Sequence, residues 1–118
     1  MAGMTTPSVP TEIPTVTADT LPDDAYLLDV REQYEWVEGH APGSHHVPMY
    51  EIHNRLAEVP TVGPVVVVCK VGARSAEVAA YLHAQGWDDV FNLIGGLYAW
   101  QAAGKPLIAE TGAPARVV

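Results

Sequence analysis

The chain has 118 residues, a length that fits one domain built around one hydrophobic core. Hydrophobic residues make up 48% of the sequence and charged residues 17%, as in an ordinary globular protein. The net charge of −8 argues against nucleic acid as a partner, because no basic stripe is present to contact phosphates. No apolar run approaches the roughly 18 residues that a membrane helix needs, so we expect no membrane partner.

The first residues show no hydrophobic periodicity and are rich in Thr and Pro. We predict that residues 1–13 form a flexible lead-in, residues 14–107 a single domain and residues 108–118 a C-terminal tail. The first basic residue is Arg31, so no positively charged region of the secretory type precedes it. We therefore expect a cytoplasmic location.

Predicted strands and helices alternate along the rest of the chain. In order, they are a strand at 25–29, a helix at 31–38, an extended piece at 45–47, a helix at 49–59, a strand at 65–68, a helix at 75–85, a strand at 90–94 and a helix at 97–103. The four consecutive valines at 65–68 lack polar alternation, which is typical of a strand covered on both faces. The alternation favours an α/β domain with a mostly parallel sheet between helices.

Cys69 is the only cysteine, and it directly follows the valine strand. In parallel sheets, functional loops leave the carboxyl ends of the strands, and Cys69 occupies such an end. A lone cysteine forms neither an intramolecular disulfide nor a Cys-rich zinc site. It is therefore a structural thiol, a nucleophile or an incidental residue.

The loop from Cys69 to Ser75 has the features of an anion cradle. Gly72 permits a sharp turn, and the first N–H groups of the following helix have no partner within that helix. These N–H groups and the helix dipole attract negative charge. Lys70 and Arg74 add positive charge, which lowers the pKa of a nearby thiol and favours a nucleophilic cysteine.

Three segments resemble the single-domain rhodaneses, the thiosulfate sulfurtransferase family. They are LLDVRE and the following EWVEGHAPGSHHVP within 27–48, VVVVCKVGARS at 65–75, and NLIGGLYAWQAAGKPL at 92–107. The resemblance covers residues 14–107, and three motifs in order make it specific. It implies a single α/β domain whose mostly parallel central sheet has about five strands flanked by helices.

The resemblance also implies a reaction. Cys69 would attack the outer sulfur of thiosulfate, release sulfite, and pass the sulfur from its persulfide to a thiol or cyanide acceptor. Lys70 and Arg74 would bind the anionic donor, and no metal or organic cofactor would be needed. The backbone amides expected to cradle the persulfide are those of Val71, Gly72, Ala73, Arg74 and Ser75.

Two other functions remain open at this point. Phosphatases and arsenate reductases on the same fold use a longer C-x5-R loop, whereas here Arg74 lies only five residues after Cys69. This shorter spacing favours sulfur chemistry. A persulfide carrier or docking module in a sulfur relay would have the same loop, and the sequence fits either a monomer or a homodimer.

Asp29 and Arg31 match the D-x-R of the family. Such a pair forms either a structural ion pair or part of the rim of the site. Nearby, four histidines lie close together in sequence, but His45 and His46 are adjacent and would face opposite sides of a strand. We therefore predict no metal site.

Overall fold

The computed structural model describes residues 13–118, so the predicted lead-in lies almost entirely outside the described residues. The strands in this part of the chain are β1 (Thr15–Val16), β2 (Tyr26–Asp29), β3 (His45–His46), β4 (Val65–Val68) and β5 (Val90–Leu93). The α-helices are α1 (Gln33–Glu38), α2 (Ala73–Ala84) and α3 (Gly96–Ala102). Within the described range, no helix combines the length and apolar character needed to cross a membrane.

The strands form one sheet in the order β1-β5-β4-β2-β3. Every neighbouring pair is parallel, so the carboxyl ends of the strands lie at one edge. Strand β4 lies at the centre, paired on one side with β2 and on the other with β5. The predicted α/β class and the parallel sheet of five strands are confirmed.

The valines of β4 belong to two separate hydrophobic clusters. Val65 and Val67 pack with residues of α2, including Leu82, in one cluster. Val66 and Val68 belong to the other cluster, which includes Trp100 of α3. All four valines are buried, because successive side chains of a strand point to opposite faces and both faces are covered here.

The predicted helix at 49–59 is instead two 3₁₀ helices, Met49–Asn54 and Leu56–Glu58. They meet at Arg55, whose backbone angles (φ −124°, ψ 24°) interrupt a helix. Only Ile52 is buried within the first of them. One buried side chain gives little apolar packing to favour a full α-helix over the tighter turns.

Strand β1 was not predicted, because two residues beside a proline carry almost no periodic signal. It is held by its pairing with β5: the Asn92 N–H donates to the Pro14 carbonyl at 2.9 Å, and the Ile94 N–H donates to the Val16 carbonyl at 2.9 Å. A neighbouring strand thus supplies the stability that a two-residue strand lacks by itself.

The segment at 108–118 runs back across the end of α1. Ile108 forms a β-bridge with His40, and the Arg116 N–H donates to the Glu38 carbonyl at 2.9 Å. A Cβ added at Gly39 would overlap with the Arg116 backbone, so glycine permits this close approach. The C-terminal segment therefore fixes the helix that follows β2.

Candidate active site

Cys69 leaves the carboxyl end of β4, and its residue is only 1% exposed. The backbone N–H of Gly72 donates a hydrogen bond to its Sγ at 3.1 Å. The Oγ of Ser75 lies 3.2 Å from the same sulfur. The buried sulfur therefore lies within hydrogen-bond distance of one backbone N–H and one hydroxyl of the protein.

These donors change the acidity of the thiol. Burial raises the pKa of Cys69, but a hydrogen bond from the Ser75 side chain and backbone hydrogen bonds from Ser75, Gly72 and Val71 lower it. The lowering effects are larger together, so the pKa lies below its ordinary value. Of the predicted cradle amides, that of Gly72 donates to the sulfur at 3.1 Å, and the lowered pKa favours the thiolate.

The turn of the loop depends on a left-handed glycine. Gly72 has φ +106° and is the N-cap of α2, which begins at Ala73, two residues before the predicted start. Arg74 and Ser75 therefore lie in the first turn of the helix. Any residue with a Cβ would be strained at the φ of Gly72, so glycine is what lets this N–H face the sulfur.

The first turn of α3 supports the loop from beneath. The Leu97 N–H donates to the Cys69 carbonyl at 2.9 Å, and the Tyr98 N–H donates to the Lys70 carbonyl at 3.2 Å. A Cβ added at Gly96 would come within 2.5 Å of both carbonyl oxygens. The absence of a side chain at Gly96 is what allows α3 to reach this position.

Arg74 is held by a carboxylate that the sequence analysis missed. Its Nη1 and Nη2 donate to the two Glu35 oxygens at 2.7 and 2.9 Å, across 39 residues of sequence. The Glu35 side chain is 3% exposed and that of Arg74 33% exposed. The pair ties α2 to α1 and balances the charge of Arg74. It occupies two of the five guanidinium N–H groups.

Lys70 lies on the other side of the loop. Its Nζ is 5.3 Å from the centre of the Tyr98 ring, a distance typical of a cation–π contact. The lysine is thus directed toward α3. Val71, between Cys69 and Gly72, is 54% exposed and forms the tip of the loop.

Asp29 and Arg31 form a fully buried ion pair. Arg31 Nη2 lies 2.7 Å from an Asp29 carboxylate oxygen, and their side chains are 0% and 1% exposed. The same guanidinium donates to the carbonyls of Glu35 at 3.4 Å and Gly39 at 2.8 Å. The pair joins the end of β2 to both ends of the α1 region and does not contact the Cys69 sulfur.

Asn92 is a second contributor that the sequence analysis missed. Its Nδ2 donates to the Gly72 carbonyl at 3.1 Å, and its Oδ1 accepts a hydrogen bond from the Ser75 hydroxyl. A signal was available, since Asn92 is the only polar residue in the Val90–Leu93 strand. For Glu35 no comparable signal exists, because a charged residue on a short helix usually faces solvent.

Comparisons with known proteins agree with this geometry. The Rhodanese-like domain family matches residues 15–103, and the chain belongs to this family. It is 41% identical over 95 residues to a sulfurtransferase of Allochromatium vinosum, covering 80% of this chain and 87% of that protein. It is 35% identical over 81 residues to the thiosulfate sulfurtransferase GlpE of Pseudoalteromonas translucida, covering 69% and 77% of the two chains.

A solved structure shows the same fold. The rhodanese-like domain protein from Staphylococcus aureus aligns with a TM-score of 0.69 and 27% sequence identity. The alignment covers 88% of this chain and 99% of that one. The family resemblance of the three sequence segments is therefore confirmed.

Proposed function

We propose that the protein is a thiosulfate sulfurtransferase that carries the transferred sulfur as a persulfide on Cys69. The observation that carries the proposal is the placement of the Cys69 sulfur among the N–H of Gly72 and the hydroxyl of Ser75. The relatives support sulfur transfer as the general reaction. Thiosulfate as donor and a thiol or cyanide as acceptor are the specific part of the proposal.

The reaction proceeds by double displacement. The Cys69 thiolate attacks the outer sulfur of thiosulfate; a new S–S bond forms, the S–S bond of thiosulfate breaks, and sulfite leaves with the electron pair. An acceptor thiolate or cyanide then attacks the outer sulfur of the persulfide. Cys69 leaves as a thiolate, which the same hydrogen-bond donors stabilise. No metal or organic cofactor enters either step.

The two loop cations suit an anionic donor. Lys70 and Arg74 both lie in the Cys69 loop of a chain of net charge −8, where two cations so close to a thiol in sequence are distinctive. Arg74 keeps N–H groups that Glu35 does not occupy, and these are available to sulfonate oxygens. The C-x4-R spacing favours this reaction over phosphate or arsenate chemistry. We propose that the reaction takes place in the cytoplasm.

The test is the intact mass of the purified, reduced protein after incubation with thiosulfate. We expect a gain of one sulfur atom, which cyanide removes with formation of thiocyanate. Cys69→Ser is the matched control, because it keeps the size of the side chain and removes the nucleophile. A reduced protein that gains no sulfur would refute thiosulfate as the donor.

The same experiment separates an enzyme from a carrier. A sulfurtransferase forms thiocyanate through many turnovers when thiosulfate and cyanide are both in excess. A protein that gains the sulfur but turns over negligibly would instead act as a persulfide carrier. Turnover of arsenate or an aryl phosphate, without sulfur gain, would favour the alternative chemistry of this fold.

A further inference from the structure

Asn92 is a polar side chain in a strand whose neighbours are core residues. It lies in β5, pairs in register with Thr15 on one side and Val67 on the other, and is 8% exposed. A buried amide requires hydrogen-bond partners, because leaving one unpaired costs about 1–3 kcal/mol. Its two partners belong to the loop of Cys69.

One amide binds two residues that contact the sulfur, Gly72 and Ser75. Asn92 Nδ2 donates to the carbonyl of Gly72, whose N–H donates to Cys69 Sγ. Asn92 Oδ1 accepts from the hydroxyl of Ser75, whose Oγ lies 3.2 Å from the same sulfur. The amide group therefore has a fixed orientation, since rotation would turn Oδ1 toward the Gly72 carbonyl.

The Ser75 hydroxyl has one proton and two acceptors that compete for it. When Cys69 is a thiol, its S–H donates to Ser75 Oγ and the Ser75 proton goes to Asn92. When Cys69 is a thiolate, the sulfur has no proton to donate and is stabilised by receiving that of Ser75. Asn92 Oδ1 then loses its donor inside the protein, which opposes the change.

We propose that Asn92 is a positioning residue that sets the direction of the Ser75 hydroxyl and thereby controls how strongly Ser75 stabilises charge on the Cys69 sulfur. In the persulfide, the negative charge resides on the outer sulfur, and the proton of Ser75 returns to Asn92. The Asn92 contact therefore favours the persulfide over the free thiolate. The inference rests on the proposed function only in taking Cys69 as the nucleophile.

The charged groups near the Cys69 sulfur all lie outside β5, the strand that carries Asn92. Arg74 interacts electrostatically with Cys69 and is paired with Glu35 of α1, while Lys70 is directed toward Tyr98 of α3. The buried pair of Asp29 and Arg31 lies at the end of β2. None of these groups is changed by substitutions at Asn92 or Ser75, so their effects cancel in a double-mutant comparison.

The experiment is a double-mutant cycle with Asn92→Val, Ser75→Ala and the double variant. The rate of alkylation by iodoacetamide is measured against pH, which reports the pKa of Cys69 without any sulfur transfer. Valine has a high propensity for strands and so is tolerated in buried β5, and alanine has a high propensity for helices and so is tolerated at position 75 of α2. Circular dichroism verifies folding, and Asn92→Ala replaces Asn92→Val if that variant does not fold.

We expect Asn92→Val to lower the pKa of Cys69 when Ser75 is present. This lowering should be about half a pKa unit larger than the shift that Asn92→Val causes in the Ser75→Ala background. Loss of the Gly72 contact affects both backgrounds equally, so a purely structural role produces equal shifts. Equal shifts, or a greater lowering in the Ser75→Ala background, would overturn the proposal. Asn54→Val, on an exposed part of the first 3₁₀ helix, is the matched control and should leave the pKa unchanged.

Because alkylation reads the thiol itself, the outcome is independent of thiosulfate. If the cycle shows the expected coupling between Asn92 and Ser75 but thiosulfate forms no persulfide, the proposed function is refuted and the role of Asn92 is not. A persulfide with no coupling between Asn92 and Ser75 would refute the role of Asn92 alone.

Discussion

Two arginine–carboxylate pairs meet at α1 and differ in what the arginine can reach. Asp29 and Arg31 are two residues apart in sequence and completely buried. Glu35 and Arg74 are 39 residues apart, and a third of the Arg74 side chain is exposed. In both pairs the guanidinium donates two or more hydrogen bonds to a carboxylate.

The comparison shows that the pairing itself does not define the role. The Arg31 guanidinium donates hydrogen bonds to Asp29 and to two backbone carbonyls, so it joins separate chain segments. Its side chain is fully buried and does not reach solvent. Arg74 binds one carboxylate and keeps an exposed portion beside the Cys69 loop. Glu35 connects the pairs, since its carbonyl accepts from Arg31 and its carboxylate accepts from Arg74.

The largest effect should come from Asp29→Ala. It leaves the Arg31 guanidinium buried without its counter-charge, and breaking a buried ion pair in this way costs about 3–5 kcal/mol. We expect the free energy of unfolding to fall by that amount, measured by urea denaturation at pH 7.

The exposed Asp24→Ala is the control for Asp29→Ala and should change stability by less than about 0.5 kcal/mol. A loss of less than about 1 kcal/mol in Asp29→Ala would mean that the Glu35 and Gly39 carbonyls are sufficient to hold Arg31.

A smaller, pH-dependent effect is expected for Glu35→Gln. Burial raises the pKa of the Glu35 carboxyl, but hydrogen bonds from Arg74 and the Glu32 backbone and the charges of Arg74 and Arg31 lower it further, so the net pKa is below its usual value. Such a group stabilises the fold fully above its unfolded pKa of about 4.3, and this contribution is lost as the pH falls through the folded pKa. Because Arg74 is partly exposed, we expect a loss of about 1–2 kcal/mol at pH 7.

Unfolding free energies of wild type and Glu35→Gln at several pH values check this prediction. The difference between them should shrink as the pH falls from 7 through the lowered pKa of Glu35, because the wild-type carboxyl then also becomes neutral. A difference independent of pH would contradict it. Glu51→Gln, which weakens the surface pair with Arg55, is the matched control and should cost less than Glu35→Gln at pH 7.

The sequence predicts the fold well where its signals are local. The run Val65–Val68 identifies a strand buried on both faces, and Gly72 identifies the turn beside Cys69. The resemblance to a known family depends on the same segments. Local patterns did not predict β1 or the 3₁₀ helices, because pairing with β5 and the backbone at Arg55 decide those regions.

The candidate site is predictable only in part, for a related reason. Cys69 and its loop are contiguous in sequence, whereas Glu35 and Asn92 reach the loop from α1 and β5. Their contributions depend on side chains that meet only in three dimensions. The sequence likewise does not predict that Arg31 is buried and Arg74 partly exposed, because both residues are arginines.

The smallest expected effect concerns the Cys69 thiol itself. Arg74 interacts electrostatically with Cys69, and Glu35 offsets that positive charge. Glu35→Gln removes the negative charge while keeping an amide oxygen for Arg74, so the cation acts on the thiolate with less opposition. We expect the pKa of Cys69 to fall by a few tenths of a unit, on the order of 0.5 kcal/mol, in pH-dependent alkylation.

Glu51→Gln removes the same charge away from the loop and should leave the thiol pKa unchanged. A rise in the pKa of Cys69 in Glu35→Gln would show that Glu35 acts mainly by holding Arg74 in place, since a displaced guanidinium stabilises the thiolate less. The sign of the shift thus distinguishes charge compensation from positioning. In this respect Glu35 differs from Asp29, whose arginine has no exposed portion with which to approach a donor.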